Sequence, residues 1–405
     1  MLAPLVAFLA TMNQAPSSSL ADFVAKPQPA FGWKRVAKDE FELISQTWQG
    51  RDWHHDVLMQ QPSGAPSIKG LAYLVVTGDR VDRVDVPFGQ KLANASRLPV
   101  VTLFNVPNQP LFDLREDDLI AYSFEKYIET GSTDWPLLFP MVNSVVKAMD
   151  MVEKESHGAI HRFIVTGESK RGWTSWLVGA LNDKRVIGIA PVAFDNLNFA
   201  AQLAHQMESW GHLSEMLGSY SGSGLIDEAK TEQGKALIQM VDPYAYLDHF
   251  HVPVLVIRGS NDRYWTADAT SLYWDKILAP KAIRILPNEG HDFQNDDDYI
   301  QALGRFPEQC LRKTLQTFLW SGEGGITLKE IESIRAIKSW NSSSKTLDFR
   351  DSHWRSVSLA VKGRPITHYY SRTSSQQNQG WFLEVELKDG SRFTTPILIQ
   401  PGQHS

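Results

Sequence analysis

Phe163-Ile164-Val165-Thr166-Gly167-Glu168-Ser169-Lys170-Arg171-Gly172 is a short apolar run that ends in small and polar residues. Phe163–Thr166 reads as a buried strand, and the amphipathic stretch from Lys170 to Leu181 reads as a helix that begins directly after Ser169. A serine between strand and helix can be held on a sharp turn with its hydroxyl exposed. The unpaired N–H groups of the helix start then lie beside it. Small residues are needed there because the two backbones approach closely. Gly-x-Ser alone arises by chance about twice in a chain of this composition, so the strand–turn–helix setting carries the weight. The stretch departs from the usual Gly-x-Ser-x-Gly, since Arg171 stands where the second glycine belongs and Gly172 follows one place later.

Working outward, Leu71–Thr77 and Leu98–Val106 read as buried strands. Pro136–Val152 reads as a helix, with Leu138, Met141, Val145, Ala148 and Met149 at three- and four-residue spacing. Downstream, a strand is predicted at Val186–Val192, and helix over Phe199–Met240 broken by Gly218–Gly224. Strands follow at Val252–Ile257 and Ala282–Leu286 with a helix at Ala267–Ile277 between them, then a helix at Asp297–Leu319. This alternation predicts the α/β class, a mainly parallel sheet covered by helices on both faces. From about Ser339 short alternating runs such as Trp354–Val361 and Trp381–Leu387 replace helical periodicity. They predict a small β-rich domain over 336–405 after a main domain at 20–335, the alternative being a continuation of the sheet. Residues 199–240 are the longest helical insertion, expected as a cap with a hinge at Gly218–Gly224 or else as plain packing.

Two later turns supply an acid and a base. The strand at Val254–Ile257 runs into Arg258-Gly259-Ser260-Asn261-Asp262, and that at Ala282–Leu286 into Pro287-Asn288-Glu289-Gly290-His291. Ser169, Asp262 and His291 thus come in the chain order of an α/β-hydrolase triad, each after a strand, at the sheet edge where open α/β folds place their sites. Ser169 is expected as nucleophile, His291 as base and Asp262 as the group that orients the imidazole. Asp268 is the competing acid, although its place after Trp265-Thr266 suits a helix cap. The oxyanion donors are expected to be the N–H of Lys170 and one from Thr77-Gly78-Asp79, Gly78 being the candidate. Lys170 and Arg171 put two cations in a first helical turn, where the helix dipole disfavours them. Either an acidic side chain such as Glu168 or Glu116 pairs with one of them, or one faces the cleft to bind an anionic substrate group. Arg171, Trp210 and Trp265 are the candidate substrate contacts.

Composition narrows the field. The chain has 405 residues, 42% hydrophobic and 21% charged, which suits a large buried core and excludes disorder. Its net charge of −6, with 40 basic and 46 acidic residues and no basic run, argues against nucleic acid as a partner. One cysteine, Cys310, excludes an internal disulfide or a Cys-rich zinc site. His54-His55 and His249-Phe250-His251 lack the spacing of a helical two-histidine zinc motif, and no phosphate-binding glycine loop occurs. No metal or cofactor is therefore expected. Met1 to Met12 form an apolar run too short to span a bilayer, of a length suited to a secretory signal, though no basic residue precedes Lys26. Export is the expectation for this segment, with 1–19 as a signal peptide or an arm. No stable membrane insertion is expected.

The chain resembles the PhoPQ-activated pathogenicity-related proteins of the PqaA type from about Leu20 almost to its end. The likeness runs through Leu20-Ala21-Asp22-Phe23-Val24, Trp33-Lys34, Ser45-Gln46-Thr47-Trp48 and Val106-Pro107-Asn108-Gln109-Pro110. It continues in Arg115-Glu116-Asp117-Asp118, Trp135-Pro136, the stretch Gly167–Trp173, the Gly259–Asp262 turn, Asp348-Phe349-Arg350 and Thr394-Thr395. The resemblance implies an α/β-hydrolase domain followed by a small β domain, often in exported proteins. Some relatives are described as secreted signals that restrain proliferation. The elbow is also locally similar to that of glucuronoyl esterases. Two functions follow: a serine hydrolase acting on an ester or amide of a small-molecule or peptide substrate, or a secreted binding or signalling protein on a hydrolase scaffold.

Overall fold

The computed structural model describes residues 17–78, 80, 85–294, 296–315, 318–321, 325–328, 334–361, 366–369 and 376–402. The apolar run Met1–Met12 lies outside them. The described residues form two compact units, one of residues 17–194 with 217–253, the other of 195–216 with 254–402.

The first unit opens with helix α1 (Ser17–Ala25) and an antiparallel ribbon of β1 (Gly32–Ala37), β2 (Glu40–Trp48) and β3 (Arg51–Gln60). Gln49 and Gly50 join β2 to β3 with φ of 49° and 73°, a two-residue turn whose twist matches that of the flanking strands. Then come β4 (Gly70–Val76), α2 (Asp85–Ser96), β5 (Val100–Leu103), α3 (Glu116–Thr130) and α4 (Leu138–Glu155). The series closes with β6 (Ile160–Glu168), α5 (Lys170–Ala180) and β7 (Val186–Val192). The strand order is β1-β2-β3-β5-β4-β6-β7, and β5, β4, β6 and β7 run parallel. The chain passes from β4 to one side and returns on the other at β6. The order therefore reverses between these two strands, and the crevice at their carboxyl ends is where such sheets hold ligands. The turn Thr77-Gly78 leaves β4 at that point, and Ser169 leaves β6.

The ribbon β1–β3 and helices α2 and α3 extend the sequence reading, which begins the alternation at Leu71. The ribbon's inner face carries Ser45, Gln46 and His55, which interrupt the apolar pattern and are nonetheless buried. Each is satisfied internally: Ser45 Oγ lies 3.0 Å from His55 Nε2, and Gln46 Nε2 donates to the carbonyl of Pro140 at 2.7 Å. Residues 217–253 fold as short helices at Gly218–Gly222, Leu225–Glu228 and Glu232–Val241. The glycine–serine stretch expected as a hinge is helical and fastened to the start of α3, with Ser219 Oγ donating to Asp118 at 2.6 Å and Tyr220 Oη to Asp117 at 2.9 Å.

The second unit contains helix α6 (Phe199–Trp210), the parallel pair β8 (Val254–Gly259) and β9 (Lys281–Leu286), and helix α7 (Asp296–Arg312). The helix expected at Ala267–Ile277 is two 3₁₀ turns, Ala269–Leu272 and Trp274–Lys276. Between them Thr270 and Tyr273 direct their hydroxyls to fully buried Asp195, which also pairs with Arg258, so side-chain bonds replace a regular backbone ladder. Helix α7 stops seven residues before its expected end. Lys313 takes a left-handed φ of 55°, and the N–H of Thr314 turns back to the carbonyl of Gln309 at 3.0 Å.

Beyond α7 lie β10 (Phe318–Ser321), β11 (Gly325–Leu328), β12 (Ile334–Ser344), β13 (Arg355–Leu359) and β14 (Ile366–Tyr369). The last strands are β15 (Asn378–Leu387), β16 (Arg392–Thr394) and β17 (Leu398–Gln400). β10, β11 and β14 make a separate antiparallel sheet, whereas β8-β9-β16-β15-β12-β13 are joined in that order. The expected C-terminal strands are therefore present and bonded to the edge of β9, where Thr394 Oγ1 accepts from the N–H of Ile285 at 2.9 Å. Buried Arg284 on β9 reinforces the joint through Glu384 and Asp298, each at 2.8 Å. Ile337, Trp381, Leu383, Val385 and Phe393 form the small core of this segment.

Candidate active site

In the first unit β6 lies between β4 and β7, and its end throws Ser169 onto a turn with φ 56° and ψ −120°. That backbone geometry is uncommon for a residue with a side chain, and such strain clusters at functional turns. The turn is held from both sides. Ser169 N–H donates to the carbonyl of Val192 at 2.9 Å, and Ser169 O accepts from Trp173 N–H at 3.0 Å. Close packing explains the flanking glycines. A Cβ on Gly167 would lie 2.9 Å from the carbonyl of Val76, and one on Gly172 would lie 2.6 Å from that of Val192. Gly172 thus performs the close-approach duty that the shifted motif left open. The N–H of Lys170, first residue of α5, has no acceptor within the helix and points from its positive end. Trp173 fixes the helix by stacking on Phe194 with ring centroids 5.2 Å apart and donating to the carbonyl of Val241 at 2.6 Å.

The two cations of α5 are both paired. Lys170 Nζ lies 3.0 Å from Asp117 and 3.4 Å from Glu116. Arg171 is buried, donates from Nε to the carbonyl of Val106 at 2.6 Å, and sets both terminal nitrogens on the two oxygens of Glu116 at 2.7 Å. Of the two arrangements expected for Arg171, the structure has the pairing with an acidic side chain, and all three guanidinium nitrogens are engaged. Burial pushes the Glu116 carboxyl up, but the Arg171 guanidinium outweighs it and, with Gln109 and Lys170, holds it at about 2.

In the second unit Asp262 follows β8 and His291 follows β9, and the structure brings them together: His291 Nδ1 lies 2.9 Å from Asp262 Oδ2. Asp262 is 1% exposed, and its other oxygen accepts from the N–H of Tyr264 at 2.8 Å. A carboxylate fixed in this way sets the imidazole tautomer with Nδ1–H toward it and Nε2 outward. The two turns lock through their backbones, with Asn261 N–H on the carbonyl of Glu289 at 2.9 Å and Ser260 N–H on that of Leu286 at 3.0 Å. Gly259 permits this, since a Cβ there would lie 2.1 Å from the carbonyl of Gly290. The Tyr264 ring covers the imidazole with centroids 4.2 Å apart. Asp268 instead meets His205 Nε2 at 2.8 Å. Burial works against the charged imidazole there, yet the Asp268 carboxylate raises its pKa overall.

Trp265 is buried beside Tyr264, with ring centroids 5.5 Å apart. Trp210, at the end of α6, lies under the Arg350 guanidinium at 4.0 Å from its ring centroid. Sequence reasoning missed Asn261 and Tyr264 as supports of the Asp262–His291 pair and its turns. Asn261 Nδ2 donates to the carbonyls of Arg350 at 3.1 Å and Ser352 at 2.6 Å, which ties the turn to the Asp348-Phe349-Arg350 motif. The co-occurrence of those two motifs was the available signal. Among the described residues no group of three or more metal-ligating side chains converges, and no helix is long and apolar enough to cross a membrane.

The family model of the PhoPQ-activated pathogenicity-related protein matches residues 20–350. The chain is 29% identical to autocrine proliferation repressor protein A of Dictyostelium discoideum, across 95% of this chain and 91% of that protein. Among solved structures it is similar to acetyl xylan esterase 1 of a Thermoanaerobacterium species, with a TM-score of 0.49 and 14% identity over 75% of this chain and 95% of that one. A puromycin-hydrolyzing peptidase of Mycobacterium tuberculosis gives a TM-score of 0.46 and 15% identity over 68% of this chain and 39% of that one.

Proposed function

The chain belongs to the PhoPQ-activated pathogenicity-related protein family and has the α/β-hydrolase fold with added C-terminal strands, and we propose that it is a serine hydrolase acting on an ester or amide. The observation that carries this reading is the strained Ser169 turn at the point where the strand order reverses. In this reading Ser169 Oγ attacks the carbonyl carbon, and His291 Nε2 takes its proton. Asp262 stabilises the imidazolium that forms, without taking the proton itself. The N–H groups of Lys170 and Gly78 receive the developing oxyanion. His291 then returns the proton to the leaving alcohol or amine. Water repeats the sequence on the acyl-enzyme and releases the acid.

A fluorophosphonate probe tests the assignment. Covalent labelling that vanishes in Ser169→Ala and slows sharply in His291→Ala supports it. The likeness to the Dictyostelium repressor favours a second reading, a secreted binding or signalling protein on a hydrolase scaffold. Absence of labelling across several probes, together with no turnover of short-chain esters, sugar-acid esters or peptide amides, would decide for it.

A further inference from the structure

The place after the nucleophile where many elbows have a second glycine holds Arg171, whose guanidinium reaches across to the turn that follows β4. A Cβ built on Gly78 would lie 1.8 Å from the nearest terminal nitrogen of Arg171, so the guanidinium rests directly against the Gly78 backbone. Gln109 closes the arrangement. Its Nε2 donates both to the carbonyl of Gly78 at 3.2 Å and to Glu116 at 2.5 Å, while its Oε1 accepts from the N–H of Glu116 at 2.9 Å. The neighbouring carbonyl of Thr77 accepts from the N–H of Val106 at 2.9 Å, and Val106 in turn offers its own carbonyl to Arg171 Nε. Both carbonyls of the Thr77-Gly78 turn are thereby bonded into residues 105–116, and Arg171 fastens that segment to the nucleophile helix. Asn105 and Glu116 adopt left-handed φ of 61° and 50° within it, a backbone cost that a loop free of these bonds has no reason to bear.

We propose that Arg171 is a positioning residue that, with Gln109 and Glu116, clamps the Gly78 turn so that its N–H faces the oxyanion formed at Ser169. Oxyanion donors act only when held in place before the reaction, and a misplacement of about 1 Å can cost on the order of 100-fold in rate. A neutral side chain at 171 could fill the volume but could not hold Val106 and Glu116 together, because the fork of a guanidinium makes those bonds in one plane. The clamp's catalytic consequence rests on the serine-hydrolase reading, whereas its effect on the turn does not.

The experiment has two readouts on the full chain. The first is hydrogen exchange in the peptide carrying Gly78, measured for the wild type, Arg171→Met, Arg171→Lys and Glu116→Gln. The second is the rate of fluorophosphonate labelling of Ser169, normalised to the folded fraction. Arg171→Met is expected to speed exchange at the turn and slow labelling about 10- to 100-fold, with Arg171→Lys intermediate. Gly78→Ala should slow labelling similarly, and adding Arg171→Ala to it should cost little more, because both changes break one contact. Wild-type exchange and labelling rates in a folded Arg171→Met protein would overturn the clamp. Faster exchange with unchanged labelling would leave a structural tie and overturn the positioning role. A wild type that no probe labels would remove the hydrolase reading, and the positioning role with it, while exchange would still report on the tie.

Discussion

Asp268 and His205 form their own carboxylate–imidazole pair, 2.8 Å apart, which leaves Asp262 as the carboxylate that meets His291. Asp262→Asn should therefore lower kcat by about 10⁴-fold, the scale expected when the orienting carboxylate of a triad is lost, with little change in melting temperature. Asp268→Asn should lower it less than about tenfold. Steady-state kinetics of the two variants on one ester would reveal a wrong assignment if their order were reversed.

Gly172 faces the carbonyl of Val192, and a methyl group there would sit 2.6 Å from that oxygen. The obstacle is the backbone of β7, which has no room to yield. Gly172→Ala should destabilise by about 1–3 kcal/mol, the range for overpacking in a dense interior. Gly222, with open space where its Cβ would go, is the control: its Ala variant should melt at or above the wild-type temperature. Thermal melts of the two proteins make the comparison.

His55 is fully inside the first unit, where burial lowers its pKa to about 4 despite the Phe104 carbonyl that accepts from its ring. The folded chain thus keeps it neutral, while the unfolded chain protonates it near pH 6.5. Below that value the unfolded state binds the extra proton, so stability present above pH 6.5 is lost as pH falls toward 4, by about 3 kcal/mol on the linkage scale. Denaturant titrations between pH 8 and pH 4.5 should show this slope in the wild type. They should show a shallower one in His55→Gln, and equal slopes would place the acid sensitivity elsewhere.

Glu116 behaves in the same sense over a more acidic window. Its folded carboxyl is held at about 2, so the stability it contributes is full above the ordinary value of 4.5 and is lost as pH falls through 2. Glu116→Gln should be less stable than the wild type at pH 6, and the gap should narrow steadily below about pH 4.5 and close only as pH falls through about 2. A gap independent of pH would mean that the carboxylate charge is not what holds Arg171.

Asn261→Ala removes the donor that reaches the carbonyls of Arg350 and Ser352. Leaving such carbonyls without their partner costs about 1–3 kcal/mol each when buried. The variant should expose residues 346–354 to limited proteolysis before the rest of the chain unfolds. Unaltered resistance in that segment would show that the strands around it suffice.

The turns that carry Ser169, Asp262 and His291 were legible in the sequence because each depends on a local pattern, a buried apolar strand that ends in a short turn. The same locality made the strands of the parallel sheet readable, since strands covered on both faces are continuous apolar runs. The ribbon at Gly32–Gln60 was not readable, because its buried face carries Ser45, Gln46 and His55, whose partners lie elsewhere in the chain. The sequence favoured Asp262 over Asp268 as the partner of His291, but it could not show that Asp268 meets His205, or decide whether Arg171 meets a ligand or Glu116. Those outcomes are contacts between distant segments: Arg171 and Glu116 are 55 residues apart, and Asn261 and Arg350 are 89 apart. Local propensity carries no information about such pairs. Only the folding of each unit, which brings such segments side by side, determines which polar and charged groups lose their water in each other's company and must therefore pair.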